Sequence, residues 1–185
     1  GLGDVYKRQV YENHTRNKEL LKYAQTDALT GLYNKETTEQ LTDELLSEDE
    51  NKYHAFLILD VDCFKQINDI YGHAVGDIVL QKFGKLLKGT FREGDILGRI
   101  GGDEFGVIMK NIQTKDIAMK KAEELLAKTQ AYKIDELKGN NISISIGIST
   151  APQDGDCYMD LYKRADQALY QAKRSGKARV CNYFS

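Results

Sequence analysis

The stretch Ile96-Leu97-Gly98-Arg99-Ile100-Gly101-Gly102-Asp103-Glu104-Phe105-Gly106-Val107-Ile108-Met109 decides the fold class. The stretches from Ile96 to Ile100 and from Phe105 to Met109, with Gly101-Gly102 after the first, have the form of two strands joined by a two-residue glycine turn. Strands joined by so short a turn pair antiparallel. Whatever sheet they enter cannot be purely parallel.

Toward the N-terminus, residues 55–60 (AFLILD) form a short continuous apolar run bounded by polar residues, which predicts a buried strand. A short helix with Phe64, Ile67 and Tyr71 on one side is expected next, broken at Gly72, and then a longer one with Val75, Val79, Phe83, Leu86 and Leu87 on a single stripe. Further back, Leu41, Leu45 and Leu46 recur at helical spacing between Lys35 and Ser47, and the acidic run at 47–51 reads as a loop. Toward the C-terminus, residues 115–131 return to helical period through Ala118, Ala122, Leu125, Leu126 and Thr129. In 142–149, Ile142, Ile144, Ile146 and Ile148 alternate with Ser143, Ser145, Gly147 and Ser149, the clearest strand of the chain. A last helix spans 158–174 with Leu161, Ala165, Ala168, Leu169 and Ala172 inward, and 179–184 reads as an edge strand. Helices and strands thus interleave around an antiparallel hairpin, so the expected fold is α/β with a mixed, largely antiparallel central sheet flanked by helices.

The 185 residues suit one domain with an appended segment. Residues 1–9 lack any periodic pattern and are set aside as outside the natural domain; 10–25, with only a thin apolar stripe, read as a leader or signalling helix, leaving 26–185 as the domain. Net charge is −2, so no global field attracts nucleic acid or anionic lipid, and any phosphate must be met by local cations. No apolar window is long enough to span a membrane. Cys63, Cys157 and Cys181 are widely separated, which indicates neither a disulfide framework nor a zinc site and fits a reducing cytoplasm.

Chemistry is suggested where the apolar strand ends in Asp60-Val61-Asp62 and where the hairpin turn runs into Asp103-Glu104. If hairpin and strand are neighbours, three or four carboxylates converge, and crowded anions call for a divalent cation. Oxygen-only ligands suit Mg²⁺, which binds through one or two carboxylates together with substrate phosphates. Nucleotide chemistry follows from that preference.

Several ordered motifs then carry a family likeness. They are Asp27-x-Leu29-Thr30-Gly31-Leu32-x-Asn34, Asp60-x-Asp62-x-Phe64-Lys65-x-Ile67-Asn68-Asp69, Gly72-His73-x-x-Gly76-Asp77, Arg99-Ile100-Gly101-Gly102-Asp103-Glu104-Phe105, Ser145-Ile146-Gly147, and Ala165-Asp166-x-Ala168-Leu169-Tyr170-x-Ala172-Lys173. Across residues 26–184 the chain resembles the GGDEF family of diguanylate cyclases, whose fold is similar to nucleotide cyclase and polymerase palm domains. The resemblance implies condensation of two GTP into cyclic di-GMP with release of two pyrophosphates, using Mg²⁺ or Mn²⁺. It implies that Asp60, the Val61 carbonyl, Asp103 and Glu104 hold the metal, with Asp103 and Glu104 catalytic. It places Asn68 and Asp77 on the guanine, with Phe64, His73 and Lys65 lining the substrate site, and Lys173 and Lys177 on the triphosphate. Guanine offers N1–H and N2–H₂ donors side by side, which a carboxylate such as Asp77 accepts and adenine does not provide. Departures are Lys177, where Arg is common, Cys63, where an aromatic is frequent, and Lys35, where Arg is frequent.

The pattern Arg92-x-x-Asp95, ending six residues before Gly101, falls where the family carries an inhibitory product site, which implies feedback inhibition by cyclic di-GMP. A product with two symmetric bonds implies two half-sites face to face, hence a homodimer, with an upstream sensor domain. The alternative is a non-catalytic module of the same family that binds cyclic di-GMP or GTP as a sensor, for which the retained Asp60, Asp103, Glu104, Asn68 and Asp77 are the discriminating feature.

Overall fold

A sheet lies between two helical layers in the computed structural model, which describes residues 7–11, 16, 24–48 and 52–183. The elements are α1 (Lys35–Glu48), β1 (His54–Val61), α2 (Phe64–Tyr71), α3 (His73–Thr90), β2 (Ile96–Arg99), β3 (Glu104–Met109), α4 (Lys115–Ala131), a 3₁₀ turn (Asp135–Leu137), β4 (Ile144–Ala151), α5 (Tyr158–Arg174) and β5 (Val180–Asn182). Strand order is β2-β3-β1-β4-β5. The pairs β2/β3, β1/β3 and β1/β4 are antiparallel and β4/β5 is parallel. The sheet is thus mixed and largely antiparallel, as expected from the hairpin.

The central strand β1 is buried along its whole length, which is why its sequence is a continuous apolar run rather than an alternating one. Side chains alternate across it. Ala55, Leu57, Leu59 and Val61 pack with Val79, Phe83 and Leu87 of α3 and with Ala118, Ala122 and Leu125 of α4. Phe56 and Ile58 face the other layer, with Leu45 and Leu46 of α1 and Leu161, Ala165 and Leu169 of α5.

The Ile/Ser alternation of β4 has a different meaning from a half-solvated strand, because both its faces are buried. Ile144, Ile146 and Ile148 join the α3/α4 layer. The small residues lie under α5: Ser149 Oγ donates to the Leu161 carbonyl at 2.8 Å, and a Cβ on Gly147 would overlap the Ala165 carbonyl oxygen and the Leu169 amide and sit 2.9 Å from Leu169 Cα. Gly147 therefore serves helix-on-sheet packing.

The hairpin differs from the expected two-residue glycine turn. Strand β2 ends at Arg99 and β3 begins at Glu104, and the N–H groups of both Ile100 and Gly101 donate to the Glu104 carbonyl, at 2.9 and 3.1 Å. Neither Gly101 nor Gly102 has the positive φ that a two-residue turn requires. Two donors on one acceptor make a bulge, which turns the following residues off the regular ladder and re-aims Asp103.

Boundaries shift modestly elsewhere. Helix α1 extends through Ser47 and Glu48, taking them from the expected acidic loop, whose remaining residues 49–51 lie outside the described residues. Strand β4 begins at Ile144, not residue 142, and β5 is confined to Val180–Asn182. Within the expected leader, residues 7–11, 16 and 24–25 are helical and the rest lie outside the described residues. Among the described residues no helix is long and apolar enough to cross a membrane.

The close approach of α5 leads to a direct expectation. Gly147→Ala forces α5 off the sheet and lowers stability by about 1–3 kcal/mol, read as an earlier urea midpoint at unchanged slope; a midpoint equal to the parent's would mean that the helix retreats at no cost.

Candidate functional site

Register and the two-residue period of a strand together build the acidic centre. Asp60 on β1 lies directly opposite Glu104 on β3, and both belong to the sheet face covered by α5. From α5, Lys173 Nζ reaches Asp60 Oδ2 at 3.0 Å, and the Tyr162 hydroxyl donates to Glu104 Oε1 at 3.0 Å. The bulged turn is fastened to the end of β1 by the Val61 N–H, which donates to the Asp103 carbonyl at 3.2 Å. Since N–H and C=O of one strand residue leave by the same edge, the Val61 carbonyl also faces the turn.

Burial pushes the Asp60 carboxyl above the usual range; Lys173 pulls it back down, while Asp103 and Asp62 repel it further up. Glu104 is raised in the same way, by burial first, against the Tyr162 hydrogen bond and with repulsion from Asp60 and Asp166. The Tyr162 phenol is pushed up to about 12 by burial and by its carboxylate neighbour Glu104.

Asp62, the possible fourth member of the cluster, is turned away. Its Oδ1 accepts the Ser145 hydroxyl at 2.7 Å, and its Oδ2 accepts the Ser143 hydroxyl at 2.8 Å and the Ala178 N–H at 3.1 Å. It ties the end of β1 to β4 and to the segment before β5. Three carboxylates, Asp60, Asp103 and Glu104, remain at the centre. Among the described residues, only Asp156, Cys157 and Asp160 at the start of α5 bring three potential ligand atoms all within 4.8 Å of one another. The centre is therefore an open set of oxygen donors with unbalanced negative charge, which fits a hard divalent cation completed by further oxygen ligands.

A cleft of about 580 Å³ adjoins the turn, lined by Phe64, Lys65, Asn68, His73 and Asp77 together with Arg99 and Asp103. Its far wall is made by α2 and α3, which meet at Gly72, held at φ 87°. Asn68 lies so close to Gly76 on α3 that a Cβ there would overlap its carboxamide oxygen. All five residues expected at the substrate, apart from the two C-terminal lysines, thus share one cleft with Asp103. Lys173 instead lies on the α5 side, in a second cleft of about 680 Å³ with Glu104, Asp166, Tyr170 and Arg174. Lys177 follows α5 in a left-handed turn, φ 62°, and its Nζ is 3.2 Å from Cys63 Sγ.

Two residues of the site were not distinguished by the sequence. Arg99 donates through Nε and Nη2 to the Gly102 carbonyl, at 3.1 and 2.7 Å, and through Nη1 to the Asp27 carboxylate, at 3.1 and 3.3 Å. Burial pushes Asp27 up, but the Thr30 amide and hydroxyl, at 2.8 and 2.7 Å, and Arg99 outweigh it and hold the carboxyl below its usual range. The entrance motif at 27–34 and the acidic turn are therefore joined by one guanidinium. Tyr162 is the other; a tyrosine on the buried stripe of α5 gives no sign in sequence of where its hydroxyl ends.

Arg92 and Asp95 are paired with each other. The Asp95 carboxylate accepts the Arg92 and Lys110 amides, both at 3.1 Å, and Arg92 Nη2 at 3.2 Å. The Asp95 side chain is 2% exposed and that of Arg92 62%, so the acid is bound into the fold while the guanidinium stays accessible. Arg92 lines a cavity of about 610 Å³ with Tyr33, Lys88 and Phe91.

Comparison with known proteins bears on this geometry. A family model described as diguanylate cyclase, GGDEF domain, matches residues 24–179. Diguanylate cyclase A of Treponema denticola is 35% identical over 188 residues, covering 95% of this chain and 50% of the relative. Response regulator PleD of Caulobacter vibrioides is 36% identical over 181 residues, 94% of this chain and 40% of that protein. The chain thus spans half or less of these curated relatives. Among solved structures, the GGDEF domain of TpbB from Pseudomonas aeruginosa superposes with a TM-score of 0.81 at 33% identity, covering 86% of this chain and 94% of that one. The GGDEF domain of DgcB from Caulobacter crescentus, solved in complex with cyclic di-GMP, gives a TM-score of 0.80 at 27% identity over 88% of this chain and 94% of its own. With a family match across most of its length and the acidic turn set beside a cleft, the chain belongs to the GGDEF family.

Proposed function

We propose that residues 26–185 are the catalytic domain of a cytoplasmic diguanylate cyclase, which condenses two GTP into cyclic di-GMP and two pyrophosphates. The observation that carries this reading is the sharing of one cleft by Asn68, Asp77 and Asp103, with Asp103 fastened to the β1 end that bears Asp60. That shared cleft, about 580 Å³, supports a base reader and an acidic centre that serve one nucleotide.

Asp77 accepts from the adjacent N1–H and N2–H₂ donors of guanine and Asn68 completes the base contact, with Phe64 and His73 as walls. Asp60, the Val61 carbonyl, Asp103 and Glu104 would hold Mg²⁺ or Mn²⁺. Once bound, the cation neutralises phosphate charge and eases deprotonation of the attacking 3′-hydroxyl. Lys65, Lys173 and Lys177 supply positive charge to the triphosphate. In each of two displacements a 3′-oxygen bonds to an α-phosphorus, the bond to pyrophosphate breaks, and Glu104 assists departure of the hydroxyl proton. The chain's part is chiefly to align the reactants. One domain carries one base reader, so both bonds need a homodimer with two-fold symmetry. Residues 1–25 fit a leader from an upstream sensor domain. The exposed guanidinium of Arg92 is suited to clamp a phosphate of the product, giving feedback inhibition.

With GTP and Mg²⁺ the chain yields cyclic di-GMP by chromatography, and Asp103→Ala or Glu104→Ala reduces product to background; wild-type rates in either variant would sink the assignment. Arg92→Ala abolishes inhibition by added cyclic di-GMP while leaving the initial rate intact, whereas unchanged inhibition would remove the product-site role. Because Glu104 titrates higher folded than unfolded, the metal-free folded state holds an extra proton above about pH 4. Its ionisation then costs stability as pH rises through the raised value. Melting temperatures in EDTA should therefore show Glu104→Gln gaining on the parent as pH climbs from about 4 toward neutrality, and a flat or shrinking difference would contradict this.

A further inference from the structure

Helix α5 carries two tyrosines one turn apart with different fates. The rings of Tyr158, Tyr162 and Phe56 form one cluster: Tyr158 and Tyr162 stack at 5.8 Å, Phe56 meets Tyr158 edge-on at 5.5 Å, and Phe56 lies tilted 6.5 Å from Tyr162. Among the described residues the Tyr158 hydroxyl is buried without a hydrogen-bond partner, so ring packing sets where it lies. The Tyr162 ring is held by the same neighbours, but its hydroxyl emerges at the acidic centre, 3.0 Å from Glu104 Oε1.

We infer that Tyr162 is a positioning residue for Glu104, its phenol fixing one carboxylate oxygen and leaving the other to serve the divalent cation. Glu104 needs such a hold. It faces Asp60 across the strands and has Asp166 nearby, so repulsion favours rotamers that carry its carboxylate away from the centre. Asp60 is held by Lys173, and Tyr162 does the corresponding work for Glu104 with a neutral donor that adds no charge to compete with the metal. Its hold comes from a rigid aromatic cluster rather than from a flexible chain, which preserves the geometry at little entropic cost. This inference rests on the proposed cyclase reading for its catalytic consequence, and on geometry alone for the tie itself.

Tyr162→Phe keeps the ring and removes only the donor. Mn²⁺ affinity is measured by electron paramagnetic resonance in the presence of a GTP analogue whose α,β-methylene bridge prevents pyrophosphate release. The variant is expected to bind Mn²⁺ about 10–100-fold more weakly and to lose a similar factor in kcat with KM for GTP unchanged. In a Glu104→Gln background the same substitution should weaken Mn²⁺ binding by much less, a coupling that general loss of fold stability would not produce. Parent-like metal affinity in Tyr162→Phe, or an equal loss in both backgrounds, overturns the inference. A parent chain that makes no cyclic di-GMP overturns the cyclase reading instead, and leaves the metal-binding cycle to decide the role of Tyr162.

Discussion

Two carboxylates, Asp60 and Glu104, face each other across adjacent strands at the buried end of the sheet. Like charges in direct cross-strand register destabilise a sheet, and burial adds to the cost. Nearly every polar feature around them answers that conflict: Lys173 on Asp60, the Tyr162 phenol on Glu104, and the removal of Asp62 onto Ser143 and Ser145. Natural folds keep such unresolved conflicts chiefly at functional sites.

The turn that completes the centre is held from outside the sheet. Arg99 joins the Gly102 carbonyl to Asp27, and Asp27 is itself locked by Thr30, so the position of Asp103 is linked to the point where the chain enters the domain. On the opposite layer, α5 sits so close to β4 that only glycine fits at 147, and this closeness brings Lys173 and Tyr162 within reach of the acids. Packing of a helix on a sheet and electrostatics at the sheet's end are in this way one problem.

Much of this was legible in the sequence. AFLILD announced the buried strand, the Ile/Ser run the β4 alternation, and the motifs that hold Asp60, Asn68, Asp77, Asp103 and Glu104 carried the family resemblance. What could not be read were contacts between residues distant in the chain. The spacing Asp60-Val61-Asp62 does not by itself separate the two acids, yet Asp60 faces the centre while Asp62 satisfies two serines eighty-odd positions away, because β4 begins beside it. The glycine turn misled in part, since Gly101 and Gly102 form a bulged turn without left-handed backbone.

Residue identity alone determined the order of elements, the apolar stripes, the antiparallel hairpin and the kinds of group available for nucleotide chemistry, since these depend on local periodicity and side-chain type. Tertiary structure decided which carboxylates meet, which lysine reaches Asp60, and that a tyrosine on α5 touches Glu104. Those depend on strand register and helix placement, which are set by the packing of the whole core and by no single stretch of chain.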